Sequence, residues 1–185
     1  MIPRMSQPVG LGTLTWQPAL SQPHLLGGPV RAALESGSLD ADQVFVTEID
    51  PNLADTAAFC QAYESPLENS ANCVVVAGRR AETETTAACL VLATDRADVN
   101  KTVRKHLGVR KISFAPMEDA VSATGMEYGG ITPVGLPGGW PVLVDTAVTG
   151  RPWIVIGSGT RGSKLAIPGA LAGTLPGAEV LELAI

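Results

Sequence analysis

Two glycine-rich stretches constrain this chain most: residues 124–137, which hold Gly129, Gly130, Pro133 and Gly135, and the run Gly157, Ser158, Gly159, Thr160, Arg161, Gly162. Glycine reaches backbone conformations closed to other residues and proline fixes φ, so glycines within reach of prolines make a loop that is both permissive and pre-shaped. Such a loop brings main-chain N–H and C=O groups close to a ligand. Recognition then rests on backbone more than on side chains.

The second stretch formally matches G-x-G-x-x-G and follows a strand-like segment, residues 153–156, as a dinucleotide-binding loop would. The context fails. That fold needs a helix directly after the glycines and a second parallel strand, whereas Pro168 interrupts early. As a plain turn, some of these glycines would only reverse the chain. As a functional loop, successive N–H groups of Gly157, Ser158 and Gly159 would form a concave site for an anion or a carbonyl. The presence of two such loops favours a binding wall.

At 185 residues the chain is long enough for one domain with a substantial core, burying about 70% of its unfolded surface. Only 4% of residues are aromatic, so aliphatic residues and alanine must build that core. No apolar run approaches the ~20 residues of a membrane-spanning helix. Residues 1–28, with Pro3, Pro8, Pro18 and Pro23, read as an extended N-terminal arm without a secretory signal, ahead of a domain over 29–185. Cys60, Cys73 and Cys89 are an odd number with no paired spacing, which fits a reducing cytoplasm.

The net charge of −5 argues against broad phosphate binding, which needs clustered Lys and Arg in excess. It leaves room for binding the end of a nucleic acid alone. Locally the balance reverses at Arg96, Lys101, Arg104, Lys105, Arg110 and Lys111. Lys101 and Arg104, about one helical turn apart, and Arg161 and Lys164 beside the second glycine loop, are the candidates for contacting phosphates.

Along the chain, a short helix over 30–36 precedes a strand over 44–47, and Asn52 is placed as N-cap of a helix over 53–63 that packs through Leu53, Ala57 and Cys60. The apolar runs 73–77 and 88–93 read as adjacent antiparallel strands, joined by a loop longer than a tight hairpin turn and covered on both faces. Asp98 or Asn100 opens a helix over 99–107, with Val99, Val103 and Leu107 on its buried stripe and Gly108 as C-terminal cap. Strands over 111–114, 142–145 and 153–156, a short helix over 168–172 and a strand over 180–183 complete the pattern. Together they make an α/β (α+β) domain around one mixed, strongly curved sheet flanked by helices.

Side-chain nucleophiles are poorly supported. Ser158 lacks a nucleophile-elbow context, and only His24 and His106 could serve as an imidazole base, one in the arm and one on a basic helix. Neither the cysteines nor the histidines form a metal-ligand set, so no metal or cofactor is expected. Asp145 sits at a strand end, where it would contact a ligand or orient a loop.

Gly129, Gly130, Ile131, Thr132 and Pro133 resemble the Gly-x-x-x-Pro loop of the YbaK and prolyl-tRNA-synthetase-associated editing domains, which remove wrong amino acids from tRNA. The order of helix, strand, loop, two strands and second glycine loop is similar from about Asp55 to the C-terminus. The resemblance implies a trans-acting deacylase that hydrolyses the ester of a mischarged tRNA in the cytoplasm, without a cofactor and with a synthetase partner or as a homo-oligomer. It implies that Gly129, Gly130 and Pro133 face Gly157, Ser158 and Gly159 across a pocket for the aminoacyl end of tRNA, the main chain doing the catalytic work. Asn72, Lys101, Arg104, Asp145, Arg161 and Lys164 are the substrate-contacting candidates. One departure stands out: family members carry a lysine just before the strand that lines the pocket, and Asn72 stands there in this chain. An amide donates a hydrogen bond but brings no positive charge, so the alternative is a non-catalytic aminoacyl- or nucleotide-binding module of the same fold.

Overall fold

The two continuous apolar runs become the longest strands of the computed structural model, which describes residues 7–185. In chain order the strands are β1 (Gln17–Pro18), β2 (Phe45–Glu48), β3 (Ala71–Arg80), β4 (Thr83–Leu92), β5 (Lys111–Phe114), β6 (Val142–Asp145), β7 (Ile154–Gly157), β8 (Ser163–Ile167) and β9 (Ala178–Leu181). The helices are α1 (Gly28–Glu35), α2 (Thr56–Tyr63), α3 (Arg104–His106), α4 (Met117–Thr124), α5 (Thr146–Thr149) and α6 (Gly169–Ala172). Among the described residues none is long and apolar enough to cross a membrane.

The strands form two sheets, not the single curved sheet expected. One has the order β1-β2-β8-β7 and is antiparallel throughout; the other, β5-β3-β4-β6-β9, is mixed, with β4, β6 and β9 parallel. A single parallel bridge between Ser70 and Val155 stitches them together. The antiparallel sheet is held together by β8, a strand absent from the sequence reading, which pairs with both β2 and β7.

Alternation along the strands explains why so many successive residues are apolar. Leu90, Leu92, Val142 and Val144 of the mixed sheet share one core with Val46, Ile154, Ile156, Leu165 and Ile167 of the other. Their neighbours point outward into two further clusters. Phe45, Val155 and Ala166 meet Trp16 and Phe59, while Cys89, Val91 and Leu143 meet Val99 and Val103. Each sheet is therefore covered on both faces, as a run without polar alternation requires.

Local chemistry sets several boundaries differently from the sequence reading. Asn52 belongs to a separate 3-10 turn, and Asp55 caps α2 instead, its Oδ1 accepting from the N–H groups of Ala57 and Ala58. The residue α2 buries is Phe59, with Ala57 exposed. The connection between β3 and β4 is a tight two-residue turn, Ala81 adopting φ 53°. Asp98 caps the expected helix over 99–107, which begins as a π-helical turn, Val99–Val103, before α3.

The Pro-rich segment is packed against the domain from its described part onward. Leu11, Trp16, Ala19 and Leu26 are buried, and β1 pairs with β2. Pro3 and the rest of residues 1–6 lie outside the described residues.

Candidate functional site

The two glycine loops lie backbone against backbone. Gly159 donates its N–H to the carbonyl of Gly130 at 2.7 Å, and Glu127 donates to the carbonyl of Gly159 at 3.0 Å. A Cβ on Gly157 would sit 2.5 Å from that same Gly130 oxygen, closer than real Cβ contacts allow, so glycine is required there by approach. At Gly159 the requirement is conformational, with φ at +86°. This contact corrects one expectation: the N–H of Gly159 is committed to Gly130, so the three successive N–H groups of Gly157, Ser158 and Gly159 do not open together towards a ligand.

Ser158 is fully buried, and its Oγ donates to the carbonyls of Ser163 at 3.0 Å and Thr160 at 3.2 Å. Its hydroxyl holds the second loop in shape. Neither histidine helps it: His106 pairs with Glu179 at 2.5 Å, and His24 borders a separate cleft beside Thr47 and Tyr63.

Beside the loop contact lies a cavity of about 320 Å³. Gly129 and Gly157 form its backbone wall, Phe59 and Tyr128 contribute rings, and Asn72 and Lys164 enter from β3 and β8. The strands that carry Asn72 and Lys164 belong to different sheets, so the cavity opens where the two sheets meet, next to the Ser70–Val155 bridge.

Asn72 is held by Thr56, whose Oγ1 donates to Oδ1 at 2.8 Å. The Nδ2 donors carry no protein hydrogen bond among the described residues. Lys164 is 7% exposed; its Nζ donates to the carbonyl of Ala54 at 2.8 Å and lies 5.4 Å from the centre of the Phe59 ring. Burial lowers its pKa below the ordinary lysine value, only partly countered by Cys60 and Asp55. Cys73 also lines the cavity, but burial pushes its thiol well above the usual range and Cys89 adds to the shift, so it is no thiolate nucleophile.

The other sequence candidates are placed around this cavity or away from it. Gly130 touches the second loop, where a Cβ would meet the Thr160 backbone at 2.6 Å. Pro133 is buried and borders a neighbouring hollow with Trp140 and Leu175. Arg161 ties the loops together, donating to the carbonyls of Tyr128 at 3.1 Å and Pro51 at 3.0 Å. Asp145 is buried: it caps α5 through Ala147 and accepts from the N–H groups of Leu183 and Ala184. Lys101 and Arg104 are exposed, and Arg104 borders an open groove with Arg79, Arg110 and Lys111. That groove lies towards the far end of β3; Arg79 is seven residues beyond Asn72, about 23 Å at ~3.3 Å per residue.

Thr56, Phe59 and Tyr128 were not singled out from the sequence. Thr56 leaves no local signature, because its partner is 16 positions away. Tyr128 stands next to the glycine pair and is 62% exposed, a combination that could have marked it as a rim residue.

The profile of the family described as "Aminoacyl-tRNA editing domain" matches residues 50–173. Among solved structures, a protein described as a candidate trans-editing enzyme for prolyl-tRNA synthetase superposes with a TM-score of 0.72 at 23% identity, covering 85% of this chain and 95% of its own. The hypothetical protein APE2540 superposes with a TM-score of 0.73 at 17% identity, covering 85% of this chain and 99% of its own. Comparison with functionally curated proteins gives no significant match. At these identities the structural likeness establishes the fold, and the profile, spanning most of the chain with both glycine loops inside it, establishes the lineage: the chain belongs to the aminoacyl-tRNA editing domain family.

Proposed function

We propose that this protein is a trans-acting deacylase that hydrolyses the ester linking a mischarged amino acid to the terminal ribose of tRNA. The observation that carries this reading is the cavity at the meeting of the glycine loops, with the unpaired amide donors of Asn72 at its wall. In hydrolysis the ester carbonyl gathers negative charge as water adds to carbon; the ester C–O bond then breaks, and the ribose oxygen leaves with a proton. Nδ2 of Asn72 is available to donate to that developing charge. Donors fixed before the reaction cost no reorganisation when it occurs.

The cavity holds no histidine and no reactive thiolate, which supports a mechanism of orientation. The water, or the ribose hydroxyl beside the ester, is positioned against the carbonyl by the Gly129 and Gly157 backbone. Tyr128 at the rim offers a ring on which the terminal adenine stacks. Lys164 contacts the substrate within the cavity, while Arg161, Gly130, Pro133, Ser158 and Gly159 hold the wall. Lys101 and Arg104 would meet tRNA only beyond its terminus. The partner is thus a charged tRNA 3′ end, met in the cytoplasm alone or beside a synthetase, by a monomer or a homo-oligomer.

The second reading, a non-catalytic aminoacyl-binding module, is favoured by one observation: a neutral amide, Asn72, stands where the family resemblance implies a lysine. A hydrolysis screen over a panel of mischarged tRNAs separates the two. Release of one amino acid at catalytic enzyme concentrations supports the deacylase; tight binding of charged tRNA without release leaves the module.

A further inference from the structure

Among the described residues, Lys164 is a buried lysine with no carboxylate at ion-pair distance. Its ammonium has three donors, and one is used, on the carbonyl of Ala54. No ion pair reaches it among the described residues. Of the ionisable groups around it, Asp55 at the start of α2 and Cys60 on α2 favour the charged form, while Arg161 ahead of β8 disfavours it. Cys73 of β3 and Tyr128 of the first glycine loop line the same cavity, and burial, which pushes the Cys73 thiol up, keeps that group from bringing an opposite charge. The carboxylate of Asp55 also lines the cavity, but its Oδ1 caps α2 through Ala57 and Ala58 and it makes no ion pair with Lys164. Burying a charge without compensation is costly, and the phenyl ring of Phe59 offsets only a little of that cost.

We infer that the cavity is built to receive an anionic group, a carboxylate or a phosphate oxygen, against the Lys164 ammonium. The identity of its carrier rests on the editing reading. On an aminoacyl-tRNA terminus the anion is either the side-chain carboxylate of an acidic amino acid or the phosphodiester on the 5′ side of the terminal adenosine. Both would form a charge-assisted hydrogen bond with Nζ, about twice as strong as a neutral one. Anion binding restores a partner to the ammonium and raises its proton affinity. Above the pKa of free Lys164, binding therefore takes up a proton and weakens as the pH rises.

Two arms test this. In the first, the protein carrying ¹³Cε-labelled lysine is titrated with inorganic phosphate and with acetate at low ionic strength. A saturable upward move of the Lys164 titration midpoint is expected, and no such move overturns the inference. In the second, amide-linked aminoacyl-adenosines, which cannot be hydrolysed, are compared by calorimetry: aspartyl against asparaginyl, each with and without a 5′-phosphate. The anionic analogue should bind at least tenfold tighter, and Lys164→Met and Lys164→Gln should abolish that difference. An advantage for aspartyl identifies the side chain as the source; an advantage for the 5′-phosphate identifies the phosphodiester. Equal binding of anionic and neutral analogues, or an advantage that survives both substitutions, overturns the inference. If phosphate shifts Lys164 while no analogue binds, the anion site stands and the editing reading fails. Thermal unfolding checks both variants, and with either unfolded the wild-type titration decides.

Discussion

The hydroxyl of Thr56 donates to Oδ1 of Asn72 at 2.8 Å, tying the first residue of α2 to the second residue of β3. An asparagine that accepts through its oxygen presents its NH₂ elsewhere, and here the cavity is what remains beside it. The amide at position 72 is thus held in one orientation at the cavity wall. Asp55, one residue earlier, caps the same helix and so fixes where Thr56 stands.

Asn72→Ala should lower single-turnover deacylation by ~100-fold, the usual loss when a donor to a developing oxyanion is removed. Thr56→Val leaves the amide in place but frees its rotation, and should cost about fivefold, one ordinary hydrogen bond. Both variants should unfold within a few degrees of the parent. Asn72→Lys is the informative third variant, because it puts at the cavity wall the positive charge that the family resemblance implies there. Unchanged rates in all three would remove position 72 from the chemistry.

Much of this fold was legible because apolar continuity has one physical meaning. The runs around Val74 and Leu90 had to be covered on both faces, and they occupy the centre of the mixed sheet. What stayed hidden was β8. Its five residues include Ser163 and Lys164, both buried, and a lysine in so short a run argues for the surface until a cavity is seen to receive it. Without that strand nothing joined residues 44–47 to residues 153–156 as a sheet of their own. Composition marked both glycine loops as close-approach backbone, and only the family resemblance implied that they face each other. The carbonyl of Gly130 that accepts from Gly159 was not legible, because partner choice between two loops depends on tertiary approach.

Gly157→Ala tests that approach. The added methyl would meet the carbonyl oxygens of Gly130 at 2.5 Å and Ile131 at 2.7 Å, both backbone atoms that cannot rotate away. The loops must separate, at a cost of about 1–3 kcal/mol. Because Gly157 also lines the cavity, binding of an aminoacyl-adenosine analogue should fall more steeply than the melting temperature. Normal binding at a lowered melting temperature would reduce the loop contact to a structural role.

Asp145 should behave in the opposite way. Its carboxylate accepts from Leu183 at 2.8 Å, from Ala184 at 2.9 Å and from Ala147 at 3.0 Å, and it is buried. Asp145→Ala leaves these donors without their partner, which should cost ~3 kcal/mol or more, read as a lowered midpoint in urea unfolding. Asp145→Asn keeps the shape and part of the acceptor capacity, and should cost less. Activity per folded molecule should be unchanged in Asp145→Asn; a loss of catalysis without a loss of stability would place the carboxylate in the reaction.

The last prediction concerns pH. Burial lowers the pKa of Lys164 in the folded protein, whereas the unfolded chain titrates at the ordinary value of 10.5. Between those two values the unfolded state binds more protons than the folded one, so this group makes stability rise with pH across that window. Below the folded pKa both states carry the charge, and the contribution is pH-independent while the burial penalty is present in full. Lys164→Met removes the titration. The difference in urea-unfolding free energy, wild type minus Lys164→Met, should therefore be flat at low pH and climb towards pH 10.5. Taking the difference cancels the other lysines and the tyrosines. A difference that falls with rising pH would mean that the folded state stabilises the ammonium, and that Lys164 already has the counter-ion the geometry denies it.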